Sequence, residues 1–561
     1  MMGKLNRFRV SLTLSCISVI LWILSLFEAK VQIGFYGLIH SFPLTFFVSS
    51  GLLSLSFFIL ITHKHKCSAL LLMFQLCLLN AMLLLSPLVI GGVGYSGQAL
   101  VSPFQMYGST EYLLRRGSLS PELLWYHSFP LTWIYCMTLI SLLGLTKPDL
   151  LIGLAPFLWQ VLYLLPLSLL FKYITEEEKE SQTLCFGGLW IFSLSQWLGQ
   201  NFLGAQGFGY FFFLLLIALV IRAAQSPSTS MWLIILLICF SLVITHLLSS
   251  LVALMILSSL VLMSLFKRRT HKVATFILVL SFAVLELCWL MYWAVFFFQS
   301  NLGLFFSVAL RIDLLLRAGI FERASGESHR MIVLLRILDA SLFLVLALIG
   351  FLRARKLHKY FDANLIMVLI PLCAASMAVL PGIAYGSELV QRQYLFALPS
   401  LSYFVAKLLH SKKLSIVLLI ILIAAFPLHL VARYGNAKSD SLTAAYLTAA
   451  YTFHDITKEG YVLDISWTEA PQNIFGFLKN QEKYTIFSLR RSDVIDFINK
   501  YNKATPLYIS LSRHDYELYS FIYDDKFFIP KLKVSMDNMT NVNLAYQNGD
   551  VSLYLVQGNS L

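Results

Sequence analysis

The chain has 561 residues, of which 58% are apolar and 13% charged, and its mean hydropathy is +0.75. These proportions exclude a soluble globular protein, a disordered chain and a fibrous repeat, because bilayer-spanning helices of roughly 20 residues each absorb the length. The net charge of +13 sits in short Lys/Arg clusters between apolar runs, not on a solvated basic face, which speaks against nucleic acid as the partner and for the positive-inside bias of membrane proteins.

In chain order, Lys4, Arg7 and Arg9 precede an apolar run from Val10 to Phe27. No small-residue cleavage site closes this run and many spans follow it, so a retained first helix is expected in place of a signal peptide. Further apolar runs lie at about 41–62, 68–93, 129–146, 150–171, 182–198, 209–223, 231–246, 247–266, 273–298, 331–352, 363–381, 393–409 and 414–432. The clusters His63 to Lys66, Lys267 to Lys272, Arg353 to Lys356 with Lys359, and Lys412-Lys413 are assigned with the N-terminus to the cytoplasmic side. Segments 94–128, 199–208, 299–330, 382–392 and everything after Arg433 then lie outside. If all of these runs crossed, the two termini would share a side. About thirteen crossings restore agreement, and the short run 129–146, followed by Lys147-Pro148-Asp149, is expected to be a partial helix or tight hairpin.

The expected architecture is a polytopic α-helical membrane domain over 1–433, with outer loops 94–128 and 299–330, and a soluble extracytoplasmic α/β domain over 434–561. In the latter, helix-like stretches at 443–457, 470–480 and 491–502 alternate with strand-like Tyr461–Ile465, Thr485–Leu489 and Pro506–Leu511. A hairpin follows, in which Asn548-Gly549-Asp550 suits turn residues with positive φ. Asn538-Met539-Thr540 fits a glycosylation sequon. The eight cysteines each lie in or beside an apolar run with no metal-ligand spacing, and are read as core residues.

Polar residues gather in the outer segments, where ionisable groups near a membrane tend to line cavities. Glu111, Leu113, Leu114, Arg115 and Arg116 fit a short amphipathic helix stopped by Gly117. Glu111 either takes a proton from an acceptor hydroxyl or pairs with Arg115 one turn on. Gln200, Asn201 and Gln206 break a hairpin with neutral amides suited to sugar hydroxyls, or merely cap a helix connection. Thr245-His246 marks a turn within a 36-residue apolar stretch, where His246 is a ligand contact or a packing residue. Arg317 and Arg323, in a loop that also looks interfacial, and Arg392 at the outer start of a span, are placed to grip phosphate, although snorkelling is the commoner role. Arg336 and Asp339 are the ionisable residues that read clearly as intramembrane.

The order of these features resembles the GT-C superfamily of integral-membrane glycosyltransferases, in particular its uncharacterised archaeal and bacterial members. The resemblance rests on Trp125-Tyr126-His127-Ser128-Phe129-Pro130, on Gln200-Asn201 with Gln206, on Thr245-His246, on Arg392-Gln393-Tyr394 running to Pro399, and on a C-terminal domain ending in Tyr546 to Tyr554. It implies transfer of a sugar from a polyprenyl-phosphate donor, on the outer face, to a lipid, glycan or protein acceptor. It also implies an acidic residue in the first large outer loop, for which this chain offers Glu111 and Glu122, and substrate contacts by His127, Gln200, Asn201, Gln206, His246, Arg317, Arg323 and Arg392. Neither glutamate belongs to a DxD or an adjacent acidic pair, so no metal ligand is assigned and a divalent metal stays an open alternative. Two other functions compete: a lipid-linked oligosaccharide flippase, which calls for midplane charges and an internal repeat, and a noncatalytic assembly protein of cell-surface glycan synthesis.

Overall fold

The structure is a computed structural model that describes residues 2–62, 68–93, 101–121, 125–145, 149–175, 181–266, 272–299, 326–355, 361–376, 387–441, 460–464, 484–488, 494–501, 505–521 and 525–557, with positions 443, 445, 446, 448, 449, 452 and 453. The described residues up to 434 form mainly helices: α1 (Met2–Glu28), α2 (Leu44–Ile61), α3 (Ala69–Leu84), α4 (Ser86–Gly91), α5 (Val101–Arg116), α6 (Leu131–Leu143), α7 (Asp149–Thr175) and α8 (Ser181–Ser195). There follow α9 (Ala205–Gln225), α10 (Thr229–Val243), α11 (Leu247–Phe266), α12 (Lys272–Tyr292), α13 (Glu327–Arg355), α14 (Phe361–Ser376), α15 (Ser387–Ala406) and α16 (Lys412–Tyr434).

Among the described residues eight helices are long and apolar enough to cross a bilayer, and four more are apolar but shorter. Apolar residues turned outward confirm the reading: α12 exposes Leu280, Val284, Leu287 and Met291, a stripe at helical spacing that only lipid would solvate well. The chain is a multi-pass membrane protein. The run at 129–146 is indeed short: α6 has 13 residues and stops at Gly144, which takes φ 60°. At about 1.5 Å per residue that is less than the hydrocarbon thickness. The long stretch 231–266 breaks at the expected turn, α10 ending at Val243 and α11 starting at Leu247.

Helices α1 and α2 meet through small polar residues. Ser18 and Ser49 hydroxyls lie 3.1 Å apart, Ser11 and Ser15 each reach Ser56, and the Gln75 amide of α3 donates to all three of the latter hydroxyls. Small side chains let the backbones approach, and each hydroxyl finds a partner where water is absent.

The ends of α1, α3, α8, α12 and α16 and the starts of α2, α9, α13 and α15 gather at one end of the bundle. Ties across it include Trp22 Nε1 to Ser86, Tyr434 to the Leu83 carbonyl, and Arg336 Nε to the Ala432 carbonyl at 2.7 Å. Gly37, at φ 70°, lets the segment between α1 and α2 press on the end of α16, since a Cβ there would meet the backbone of Tyr434 and Gly435.

The C-terminal domain stands at this same end. Its sheet has the order β2-β1-β3-β5-β4, with β1 (Gly460–Asp464), β2 (Tyr484–Ser488), β3 (Leu507–Ser512), β4 (Val542–Gln547) and β5 (Val551–Val556). β1 pairs in parallel with β2 and β3, whereas β3/β5 and β5/β4 are antiparallel. Helices Val494–Lys500, Arg513–Phe521 and Phe528–Asp537 complete an α/β unit, and Leu507, Ile509, Leu532, Met536, Tyr554 and Val556 form its core. The expected strands appear within one residue, as does the β4–β5 hairpin. Its turn corrects the expectation of a positive-φ glycine: Gly549 does not take positive φ, and the Asn548 carboxamide holds the turn by accepting from the N–H groups of Asp550 and Val551. The expected helix at 470–480 lies outside the described residues.

A candidate active site at the domain end of the bundle

The first loop is built as a helix. α5 runs to Arg116 and stops at Gly117, whose φ is 67° and whose N–H bonds the Leu113 carbonyl. Ser109 and Thr110 face inward while Arg115 and Arg116 are exposed, so the helix is amphipathic as expected. Glu111 sits on the half-buried flank and is bonded by Arg115. Of its two readings, the structure realises the ion pair.

His127 is fully buried and acts as a pin. The Ser120 N–H donates to Nδ1 at 3.1 Å, which leaves Nε2 to carry the proton and donate to the Ser109 carbonyl at 3.1 Å. Trp289 and Trp293, at the end of α12, donate to the carbonyls of Ser128 and His127. Both ring nitrogens are thereby used in holding α5 against the 125–128 turn, so His127 shapes the site from behind.

The amides between α8 and α9 are drawn toward α16. Arg433 is 3% exposed; it donates from Nη1 to the Leu198 carbonyl at 3.0 Å and from Nη2 to Asn201 Oδ1 at 2.8 Å. Asn201 in turn donates to the Pro156 carbonyl at 3.0 Å. Among the described residues no carboxylate pairs with Arg433, and its Nε is buried without a partner. One turn earlier, His429 donates from Nδ1 to the Leu194 carbonyl at 2.7 Å and leaves Nε2 unbonded. Gln206 is buried with both amide atoms unpartnered, and Gln200 Oε1, Gln196 Oε1 and Gln393 Nε2 are likewise orphaned. Buried polar atoms are almost always hydrogen-bonded in folded proteins. So many orphans at one end of a bundle describe a surface built for a polar ligand or water.

His246 and Arg392 come together on the other flank of α9. Gly209 lets α11 approach, since a Cβ there would meet the His246 side chain and Ser249. His246 Nδ1 accepts from the Ser249 N–H at 3.2 Å and lies 2.9 Å from its hydroxyl. Burial, and next the Arg392 guanidinium, lower the pKa of this ring, which sits in the turn between helices, to about 3, so it is neutral. On α9, Tyr210 donates to the Leu395 carbonyl of α15 at 2.9 Å. One turn back on these parallel helices come Gln206 and Arg392, at the same level. Next to them Tyr394 donates to the Ser195 carbonyl and stacks on Trp197, over which the Arg336 guanidinium lies at 5.5 Å. Asp339 is buried with both oxygens unbonded, one turn from Arg336.

Of the expected site residues, Gln200, Asn201, Gln206, His246 and Arg392 thus belong to one end and to adjoining elements, whereas Glu111 and His127 belong to the α5 flank. Glu122, Arg317 and Arg323 lie outside the described residues. Sequence reasoning missed Arg433 and His429, the amides Gln196 and Gln393, and Glu286 of α12, which is 3% exposed and is a further ionisable residue within a span. A metal needs a gathered donor set. Among the described residues no three His, Cys, Asp or Glu side chains form such a set.

No protein-family profile matches the sequence, and no curated protein does. Solved structures match by fold. The oligosaccharyltransferase of Archaeoglobus fulgidus in its apo form superposes with a TM-score of 0.51 at 11% identity, covering 82% of this chain and 72% of that one. The same protein, AglB, in complex with an inhibitory peptide and a dolichol-phosphate gives 0.51 at 10% identity, with 82% and 72% covered. ArnT from Cupriavidus metallidurans bound to undecaprenyl phosphate covers 81% of this chain and 93% of that one at 11% identity, with a TM-score of 0.36. The chain shares its fold with this archaeal oligosaccharyltransferase, in keeping with the fold that the sequence resemblance implies.

Proposed function

We propose that the chain is a membrane glycosyltransferase that moves a sugar from a polyprenyl-phosphate-linked donor to a lipid, glycan or protein acceptor on the outer face of the cell membrane. The observation that carries this reading is Arg433, a buried guanidinium with no described carboxylate beside it and an unbonded Nε, set among orphaned amides. A buried cation without a counter-ion is costly, and an anion such as a lipid phosphate removes that cost. The dolichol-phosphate complex of AglB, a protein of this fold, supports the class of donor.

In this mechanism the acceptor oxygen bonds the anomeric carbon as the bond from that carbon to the phosphate oxygen breaks, and the electron pair leaves with the phosphate. Arg433 and Arg392 stabilise the charge that develops there, and Arg317 and Arg323 of segment 299–330 are assigned to hold the carrier. Preorganised cations aimed at developing charge are the largest single contribution such a site can make. Gln200, Gln206, Gln196 and the neutral His246 meet the sugar hydroxyls, Asn201 positions Arg433, and His127 holds α5 in place. The acceptor's proton passes to a carboxylate, for which Glu111 and Glu122 are the loop candidates. The N-terminus is cytoplasmic and the C-terminal domain extracytoplasmic, and the membrane lipid and the lipid-linked sugar are the partners.

Binding of dolichyl phosphate to the purified protein, read by native mass spectrometry, tests the donor. Wild type is expected to retain the lipid phosphate and Arg433→Met to bind at least tenfold more weakly. Equal binding by the two would remove Arg433 from the site.

A further inference from the structure

A cleft opens where the C-terminal domain meets the end of the bundle, apart from the residues gathered around Arg433. One wall is helix Arg513–Phe521, which packs on the 437–440 turn following α16 and on α13. The second is the tip of the β4–β5 hairpin. There the Asp550 carbonyl accepts from the Arg513 N–H at 2.7 Å, the Asp550 carboxylate accepts from the Thr443 hydroxyl, and Asn548 donates to the Ala445 carbonyl at 2.9 Å. The third is Ile33, between α1 and α2, fixed on one side by the mutual bonds of Gln32 and Ser41 and on the other by the Gly34–Gly37 bridge. These ties join the segment after α16 to the C-terminal domain, so the cleft is formed before a ligand arrives.

Two cations, Lys438 and Arg513, and two carboxylates, Glu517 and Asp550, line it. The Lys438 ammonium has no hydrogen bond or ion pair among the described residues. Arg513 Nε lies 4.0 Å from Glu517 Oε1, too far for a hydrogen bond. Thr443 bonds one oxygen of Asp550, and the other takes no bond among the described residues. Two positive and two negative groups cancel, which does not select an anion such as the carrier phosphate. Hydroxyls suit this set: each O–H donates to a carboxylate while its oxygen accepts from the ammonium or guanidinium, and such charge-assisted bonds are strong. Ile33 offers an apolar patch to the C–H face of a sugar ring. A peptide instead seats apolar side chains or extends a free strand edge. Here Ile33 is the one aliphatic residue of the lining, and Asp550 places the cleft at the β4–β5 turn, not along β4.

We propose that this cleft binds a neutral sugar of a substrate glycan, beyond the sugar that reacts. The inference rests on the glycosyltransferase reading and narrows its substrates to those carrying a further sugar. The cavity of about 60 Å³ holds about four waters, room for the hydroxyl edge of one ring with the rest of the glycan in solvent. Lys438 follows Arg433 by five residues, so their Cα atoms are at most about 18 Å apart and the outer sugars of a short glycan reach the cleft.

The test presents the purified full chain in nanodiscs to an array of neutral oligosaccharides, acidic oligosaccharides and peptides, beside dolichyl phosphate binding by the same variants. Wild type is expected to bind neutral oligosaccharides. Lys438→Met and Glu517→Gln should each bind them at least tenfold more weakly, the loss of one hydrogen bond to a charged group, and retain dolichyl phosphate. Lys500→Met, on a side chain 80% exposed in another helix, should bind as wild type does. Absence of neutral oligosaccharide binding, binding confined to acidic glycans or peptides, or equal binding by wild type and both cleft variants overturns the proposal. With dolichyl phosphate retained, the glycosyltransferase reading then stands; wild type that binds neither overturns both. If Lys438→Met does not fold, Glu517→Gln decides alone. Dolichyl phosphate carrying a neutral oligosaccharide separates the sources. Tighter binding than the bare lipid by wild type, lost in Glu517→Gln, makes the glycan the donor's. Equal binding of the two lipids, with array binding lost in Glu517→Gln, makes it the acceptor's.

Discussion

A guanidinium at the end of α16 gives the sharpest residue-scale prediction. Arg433 supplies donors to the Leu198 carbonyl and to Asn201, so Arg433→Met strands two buried acceptors as well as removing a cation. Leaving a buried partner unsatisfied costs about 1–3 kcal/mol, so that variant should unfold measurably earlier in detergent as well as bind lipid phosphate poorly. Arg392→Ala is expected to lower transfer by about 100-fold or more, as loss of a charge-stabilising donor does. An unchanged rate in Arg392→Ala would remove it from the site. At this scale legibility was uneven. Arg392 and His246 stood out because each interrupts an apolar pattern beside other polar residues. Arg433 read only as the limit of a span, and His429 and Glu286 are single residues inside apolar runs, where no spacing distinguishes a ligand from a packed polar group. Glu111 and Arg115 are one helical turn apart, and that spacing already contained the ion pair the structure has.

Helices were the most legible elements, because apolar runs bounded by basic clusters, Gly117 and Gly144 mark where they begin and stop. The hydroxyl ladder between α1 and α2 was invisible, since serine in an apolar run has no signature until its partner is known. Its importance is testable. Ser49→Leu forces a large side chain into a close helix contact, and overpacking of this kind costs about 1–3 kcal/mol. That variant is expected to lower the melting temperature in detergent, whereas Leu44→Ala, on a side chain 77% exposed, should not. In the sheet, Tyr554 of β5 donates to Asp537 at 2.9 Å, and burial first, then that carboxylate, push its phenol above the usual tyrosine range. The folded domain therefore holds the phenolic proton more tightly than the unfolded chain. This contribution to stability is complete below pH about 10, the unfolded value, and is lost as pH rises from there through the folded pKa. Limited proteolysis of the C-terminal domain in the full chain should accelerate between pH 9 and 11, and Tyr554→Phe should flatten that rise. The turn of β4–β5 shows how a correct element can hide a wrong detail: Asn548-Gly549-Asp550 marked a hairpin, but the Asn548 side chain, not glycine, holds it.

For the whole molecule, composition alone settled that the chain lives in a bilayer, and the order of its outer segments pointed to the fold that this chain shares with the archaeal oligosaccharyltransferase. Composition said nothing of how the site is assembled, because the residues that build it come from α8, α9, α11, α15 and α16 and meet only when the helices pack. The proposed topology places that assembly on the outer face. A cysteine introduced at exposed Asn538 should react with a membrane-impermeant maleimide on intact cells, and one at Arg9 only after permeabilisation; the reverse pattern would invert the topology. The central claim is sugar transfer from a lipid-phosphate donor by this site. Its most direct test is reconstitution of the purified chain in proteoliposomes with a labelled polyprenyl-phosphate sugar and a mixed pool of lipid, glycan and peptide acceptors. The account predicts label in an acceptor with wild type and at least 100-fold less with Arg392→Ala. Label that only crosses the bilayer, still attached to its lipid carrier, would contradict it.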